Sequence, residues 1–352
     1  MKRISSLPIL TDRSTDSRSE RADIEIGLRN VVRGQVRFGQ HDRALYATDA
    51  SPYQVEPIGI VVPADIEDVR RVLEVCRTHA VPVLPRGGGT SLAGQCANRA
   101  VVVDVSALCR RVLSVDVSDP SCAVEPGIGI DELNRQLLTL APGLFFAPDP
   151  ATVAQATVGG CIGNNAAGAR SIVYGRTSEN LTDVDVLLTT GERTRLGPGA
   201  GRRDEVARRL AMSVTDVVMR HADLIRARFA KTIRRNAGYG LDLVLKQLDA
   251  GVAVEDLDLS GLICGSEGTL AFVVGATLKL HPIRHATGLA IASFPTLEAA
   301  MDAVNPILTT RPSAVELLDD VVLRAAVGNE TCRPYVLSLI HISEPTRLRR
   351  IS

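Results

Sequence analysis

The chain contains no tryptophan, and all its aromatic residues together make up only 3%. A surface that stacks successive bases of a single strand needs such rings, so that class of function is excluded. No charge of either sign is in excess: 40 basic residues stand against 40 acidic ones, and the formal net charge is zero. So balanced a chain has no broad electrostatic hold on nucleic acid or on an anionic membrane. Long apolar runs are missing as well. The longest uncharged stretch, Pro150 to Ala169, is full of Gly, Asn, Gln and Thr and does not read as a transmembrane helix. Near the N-terminus the apolar run from Leu7 to Leu10 is short and interrupted by Pro8, which argues against a signal peptide. Finally, none of Cys76, Cys96, Cys109, Cys122, Cys161, Cys264 and Cys332 forms a C-x-x-C pair. Zinc-finger and ferredoxin spacings are therefore absent, and no metal site is expected. The expectation is a cytoplasmic protein in a reducing compartment, its thiols serving as small buried side chains.

What is present suits a globular protein of two domains or more: 352 residues, 45% hydrophobic and 23% charged. Residues 1–22 are polar and rich in Ser and Arg, which predicts disorder. A βαβ unit follows. Ile58 to Val62 reads as a strand, Asp65 as an N-cap, and Ile66, Val69, Leu73 and Cys76 as one helical face. Val81 to Leu84 is the next strand, with further strands at Ala100 to Val105 and Val112 to Val117. Asp131 can cap a helix carrying Leu133, Leu137 and Leu138. Val184 to Leu188 reads as a strand, 202–250 as mostly helix, and two strands bracket Gly275. Strands and helices mix without strict alternation, so the fold class is α+β.

Three segments carry chemistry. Pro85-Arg-Gly-Gly-Gly-Thr-Ser-Leu-Ala-Gly-Gln95 sets three glycines directly after a buried strand, where the backbone can approach a ligand closely. Successive N–H groups in such a turn make a concave anion site, and a diphosphate is the natural guest. The segment lacks the ending of a triphosphate loop and the dinucleotide G-x-G-x-x-G spacing, and taken alone it is equally a tight turn. Pro148 to Leu181 is nearly uncharged as far as Arg170 and rich in small residues, Asn and Thr. A connection so long is usually functional, and its composition suits a backbone wrapped around a long, partly polar ligand. Gly265 to Leu280 is a glycine turn feeding strands, and is weak alone.

In this order, the three resemble the FAD-linked oxidase family with the fold of vanillyl-alcohol oxidase and p-cresol methylhydroxylase. The resemblance runs from about Tyr53 to Leu280, through PRGGGTSLAGQ, VEPGIGIDELN, PDPAT, TVGGCIGNNAAGARSIVYGRT and GSEGTL. Within the family it is nearest the branch of D-lactate, glycolate and D-2-hydroxyglutarate dehydrogenases, through RRNAGYGLD (Arg234 to Asp242) and SAVELL (Ser313 to Leu318). The fold implied is a two-subdomain FAD-binding domain followed by the start of an α+β cap. The resemblance implies that Arg86, Gly87, Gly88, Gly89, Thr90 and Ser91 form the diphosphate loop. Pro148, Thr152, Thr157, Gly159, Gly160, Gly163, Asn164, Ala167 and Gly168 would line the flavin and its ribityl chain. Val186 would pack near the adenine, Glu267 and Gly268 would close the site, and Asn236 and Tyr239 would lie near the flavin ring. Glu267 also reads as a turn-stabilising side chain, and Tyr239 as a half-buried aromatic.

The implied reaction is oxidation of a D-2-hydroxy acid to the 2-oxo acid, with electrons leaving through quinone, a carrier flavoprotein or a downstream iron–sulfur region. Members with histidyl-linked flavin carry His where this chain has Thr90, so non-covalent FAD is expected. The family's H-x-H metal motif and carboxylate-binding Arg lie in a cap of which this chain holds only the opening, so catalytic residues stay unassigned. The expected organisation is 1–22 disordered, 23–283 the FAD-binding domain with a split near 120, 284–336 a truncated cap, and 337–352 a non-native tail. Leu337 to Arg347 resembles a translated sequencing adapter, so His341 is not counted as a ligand. Two alternatives stay open: a sugar or alcohol oxidase on the same fold, and a flavin-binding module without turnover of its own.

Overall fold

The computed structural model describes residues 18–232, 234–340 and 349–350. The first unit contains α1 (Arg18–Val31), β1 (Gln35–Arg37), α2 (Gln40–Leu45), β2 (Gly59–Val62), α3 (Ile66–Thr78), β3 (Val83–Arg86) and β4 (Val101–Asp104). Its sheet has the order β1-β2-β4-β3, with β2 and β3 both parallel to β4. Central β2 and β4 are buried along their whole length, as parallel strands covered on both faces must be. Ile24 and Leu28 of α1 and Val69, Val72, Leu73 and Cys76 of α3 cover one face, meeting Val61, Val101 and Val103. Asp65 caps α3 as the sequence suggests, its side chain accepting from Asp68 N at 3.1 Å.

The second unit runs through β5 (Val112–Asp116), β6 (Ser121–Val124), α4 (Ile130–Leu140), β7 (Leu144–Phe145), α5 (Val158–Asn164) and α6 (Ser171–Tyr174). It continues with β8 (Leu181–Leu187), β9 (Arg193–Leu196), α7 (Ala200–Arg203), α8 (Glu205–Arg220), α9 (Ala222–Arg228), α10 (Leu241–Asp249), and β10 (Phe272–Lys279). Its five-stranded sheet is antiparallel, in the order β5-β6-β10-β8-β9. Helices α4, α5, α8 and α10 pack on it through Leu133, Leu137, Ile162, Ala207, Ala211, Val218 and Val244. Leu187, Phe272 and Val274 join the apolar cluster of the first unit instead, so one seam holds the two sheets together. The α+β class stands.

Several boundaries differ from the sequence reading. α1 begins at Arg18, inside the segment expected to be disordered; residues 1–17 lie outside the described residues. The first sheet ends at Asp104 and the second begins at Val112, so the division falls earlier than 120. Two strands were expected around Gly275; β10 is one strand passing through it, with a bulge between Val273 and Gly275 that keeps both halves paired to β8. The N-cap of α4 is Gly129, which bridges Thr157, and Asp131 lies in the first turn, where a carboxylate favours the helix dipole.

Five of the cysteines are buried as expected, Cys96 is half-buried and Cys332 is exposed. Burial pushes the thiols of Cys76, Cys122 and Cys161 up to about 12. Residues 284–335 form the helices Leu297–Asp302, Val304–Leu308 and Asp320–Gly328, yet none of these residues is buried. Of the proposed non-native tail, 337–340 continue the helix Arg333–Ile340 and Arg349–Arg350 pair with Gly288–Leu289, while His341 lies outside the described residues. Among the described residues no helix is long and apolar enough to cross a membrane.

Candidate functional site

β3 ends at Arg86, and the chain turns at once into Gly87, Gly88, Gly89, Thr90 and Ser91. There is no room here for side chains. A Cβ on Gly87 would stand 2.1 Å from Thr157 Oγ1, and one on Gly88 would stand 2.1 Å from the Gln155 carbonyl oxygen. Gly89 has φ +65°, in the left-handed region that favours glycine. The loop of the first unit therefore lies directly on residues 155–157 of the second.

The donors of this loop are uncommitted. Among the described residues, no backbone N–H from Gly87 to Ser91 finds a protein acceptor, although the Gly89 carbonyl accepts from Ala50 N at 3.1 Å. Five consecutive donors left free in a tight turn are what a diphosphate needs. Helix α5, whose start meets the loop, has no such donors to spare. Thr157 caps it, accepting from Gly160 N at 3.2 Å, while Val158 N donates to Ile128 O at 2.9 Å and Gly159 N to Pro126 O at 2.7 Å. α5 thus shapes the loop from behind.

Arg86 is engaged with the protein around the loop. Its Nη1 donates to the carbonyls of Tyr46 at 3.3 Å and Cys96 at 3.2 Å, and its Nη2 donates to that of Thr48 at 2.9 Å. The guanidinium also lies over the Tyr46 ring, 5.1 Å from its centroid. The Tyr46 hydroxyl donates to Asp104 Oδ2 at 2.6 Å, and burial, then this bond, push its pKa up to about 12. Through Nη1 and Nη2 Arg86 braces the loop from beneath, on three backbone carbonyls.

The second segment reaches the same place. The Thr152 carbonyl accepts from Gln155 N and Ala156 N, both within 2.9 Å, and so turns the chain toward the glycine loop. Gly163, Asn164 and Asn165 end α5, with Asn165 at φ +47° and its Oδ1 accepting from Ser178 N at 3.0 Å. A Cβ on Gly168 would come within 2.0 Å of the Asp149 carbonyl oxygen, which packs Ala167 and Gly168 against the Pro148–Pro150 turn. Arg170 Nε donates to Asp149 Oδ2 at 2.8 Å and lies over Phe145 and Tyr174.

The third segment closes the ring. Glu267 N donates to the Gly163 carbonyl at 3.0 Å, and Gln95 Nε2 donates to Glu267 Oε1 at 3.3 Å. A Cβ on Gly268 would lie 3.0 Å from Pro85 Cγ. Glu267 itself has φ +52°, a conformation costing a residue with a side chain about 1–2 kcal/mol. Tyr239, on the Arg234–Asp242 segment, places its hydroxyl 2.9 Å from Thr269 Oγ1, and Asn236 Oδ1 is buried with no donor among the described residues. Val186 is not brought to this surface: it is fully buried in β8, paired on either side with Thr194 and Val273. A separate open cavity of about 410 Å³ lies between the units on the other side of Pro85, lined by Leu73, Val81, Val83, Leu187 and Phe272 together with Arg77, Thr189 and Thr190.

The residues present therefore fit a flavin dinucleotide: free donors for the diphosphate and small residues for the ribityl chain. Among the described residues no cluster of His, Cys, Asp and Glu could hold a metal ion. Sequence reasoning missed Tyr46, Thr48, Cys96 and Asp104 as the scaffold of the loop, and no local pattern marks contacts that span up to 58 positions.

A model of the FAD binding domain matches residues 57–197. The chain is 33% identical over 315 residues to a D-2-hydroxyglutarate dehydrogenase of Pseudomonas putida, covering 85% of this chain and 30% of the relative. It is 32% identical to a mitochondrial D-lactate dehydrogenase (cytochrome) of Arabidopsis thaliana, over 76% of this chain and 38% of the relative. A glycolate oxidase subunit of Bacillus subtilis is 28% identical over 80% of this chain and 50% of its own. Among solved structures, alkyldihydroxyacetonephosphate synthase superposes with a TM-score of 0.63 at 19% identity, covering 91% of this chain and 53% of that one; this supports the fold alone. The chain spans about 30% of the length of the D-2-hydroxyglutarate dehydrogenase it matches.

Proposed function

We propose that the chain belongs to the FAD-linked oxidase family and is the FAD-holding part of an enzyme that oxidises a D-2-hydroxy acid to the 2-oxo acid. The observation that carries this is the set of five uncommitted N–H groups from Gly87 to Ser91, pressed against Gln155 and Thr157. When bound, FAD supplies the hydride acceptor for C2 of the acid. The residues of the chain do the holding. Gly87 to Ser91 bind the diphosphate, Arg86 braces their loop, and Thr152, Gly163, Asn164, Ala167 and Gly168 wall the ribityl channel. Glu267 and Gly268 join the two units across it. FAD is held without a covalent bond, since Thr90 offers no imidazole. Electrons leave through a quinone, a carrier flavoprotein or an iron–sulfur region.

A second reading is favoured by one observation. Residues 284–335 contribute no buried residue, so among the described residues that segment forms no packed cover over the site. On that reading the chain binds flavin and turns nothing over. One experiment separates the two. The chain is loaded with FAD and mixed anaerobically with D-2-hydroxyglutarate, D-lactate or glycolate while flavin absorbance is followed. Substrate-specific bleaching supports the enzyme; stable FAD with no bleaching supports the module; failure to retain FAD refutes both.

A further inference from the structure

The segment from Pro148 to Leu181 is long, and one residue outside it holds both of its ends. His281 follows β10 in the short strand β11 (His281–Pro282), whose backbone pairs antiparallel with β7, His281 opposite Phe145. Phe145 leads directly into the Pro148–Pro150 turn, where the segment begins. The imidazole lies 6.4 Å from the Phe145 ring and 5.0 Å, edge to face, from that of Tyr174. At the far end of the segment, its Nε2 stands 2.7 Å from Oδ1 of the fully buried Asn180. The Asn180 amide decides which atom donates. Its Nδ2 gives both hydrogens away, to the carbonyls of Tyr174 and Arg176 at 2.7 Å each, so Oδ1 accepts. The proton of the neutral ring therefore sits on Nε2.

Asn180 passes this anchorage inward. The turn it closes holds the end of α5: Thr177 gives its N–H, at 2.9 Å, and its hydroxyl, at 2.8 Å, to the Ala166 carbonyl, and Ser178 N donates to Asn165 Oδ1 at 3.0 Å. Ala166 directly precedes Ala167 and Gly168 of the ribityl wall. The backbone of β11 thus fixes where the wall starts, and the ring of the same residue fixes the turn that supports its other end. The charges around the ring are unfavourable to a second proton. Lys279 donates to the Glu179 carbonyl close by, and Arg170 lies over the Phe145 and Tyr174 rings. The two nearby carboxylates are taken, Asp149 by Arg170 and Glu179 by Arg176. Nδ1 has no partner among the described residues, so an imidazolium would add an N–H without an acceptor. Burial, then the Lys279 charge, accordingly hold the His281 pKa below its ordinary value.

We propose that His281 is a positioning residue that keeps the flavin wall in its binding shape while its ring is neutral and loosens it on protonation, an inference that rests on the FAD-binding reading above. Because neutral imidazole is the form the fold favours, its contribution is full above the ordinary value near pH 6.5 and is lost as pH falls through the lower folded value. The test measures FAD affinity of the full chain by fluorescence quenching between about pH 5 and 7.5, with thermal unfolding of the FAD-free chain beside it. Parent affinity should fall roughly fivefold or more across that range. His281→Gln keeps an N–H for Asn180 Oδ1 but does not titrate, so it should bind FAD within about threefold of the parent at pH 7.5 and lose the parent's pH dependence. His281→Leu fills the space without a donor and should weaken binding at least about tenfold at pH 7.5. His221→Gln, at the junction of α8 and α9, should keep the parent's profile. If His281→Leu does not fold, the profiles of the parent and His281→Gln decide. A flat parent profile overturns the inference, as does a His281→Gln chain that titrates like the parent or binds FAD as poorly as His281→Leu. A parent chain that retains no FAD at pH 7.5 instead defeats the functional reading on which the inference rests.

Discussion

Replacing Gly88 by Ala tests whether the glycine loop is a cofactor cradle or only a turn. The added Cβ would lie 2.1 Å from the Gln155 carbonyl oxygen, a backbone atom that cannot rotate away, and real Cβ contacts do not come below 3.0 Å. The loop and residues 155–157 must therefore separate by about 1 Å. The same shift carries the N–H groups of Gly88 and its neighbours off their positions around the diphosphate. Each N–H bond to a charged oxygen contributes about 1.5–3 kcal/mol. Loss of one such bond therefore weakens FAD binding by roughly ten- to a hundredfold. Gly191→Ala is the control. Gly191 has φ +90° with nothing within 4 Å of an added Cβ, so it carries left-handed strain of about 1–2 kcal/mol without touching the site. FAD affinity is measured by fluorescence quenching, and stability of the FAD-free chain by thermal unfolding. Gly191→Ala should lower the unfolding temperature and leave affinity alone, whereas Gly88→Ala should lose affinity beyond any change in stability. FAD affinity within twofold of the parent in Gly88→Ala would refute the reasoning.

Three further outcomes follow from the same geometry. Acid precipitation of the FAD-loaded chain should release all flavin to the supernatant, because Thr90 cannot form a histidyl link; yellow colour retained in the pellet contradicts this. Arg86→Lys should reduce stability by about 2 kcal/mol and lower FAD affinity, since one ammonium cannot brace the carbonyls of Tyr46, Thr48 and Cys96 together; urea unfolding and FAD titration check both. Asp68 is fully buried; burial alone raises its pKa, but donors from Arg33 N, Gly34 N and Ala64 N, with Arg71, hold it below the ordinary carboxylate value. Its stabilisation is thus complete above the unfolded value near pH 4 and is lost as pH falls through the lower folded value. Asp68→Asn should therefore be less stable at pH 7 and lose less on acidification, which urea melts between about pH 3 and 7 would show.

Much of this site was legible because its parts are local. The glycines follow a buried strand, α3 shows its cap and apolar face within thirteen residues, and the small-residue segment is contiguous. What the sequence could not show is which partner each polar group takes. Arg86 sits inside the phosphate-loop motif, and nothing local shows that its Nη1 and Nη2 reach carbonyls 10 to 40 positions away. Val186 matches a family position, but β8 lies between β9 and β10, and its placement there follows from pairings with distant segments. The bulge that turns two expected strands into one at Gly275 likewise depends on register against β8. Arg234 and Arg235 make the point most sharply. In sequence Arg234 and Arg235 are adjacent, equally charged and equally polar in their surroundings. Asp242 and Phe229 engage one and leave the other with a single long bond. Composition sets how many cations the chain has; only the fold decides which of them takes a carboxylate partner.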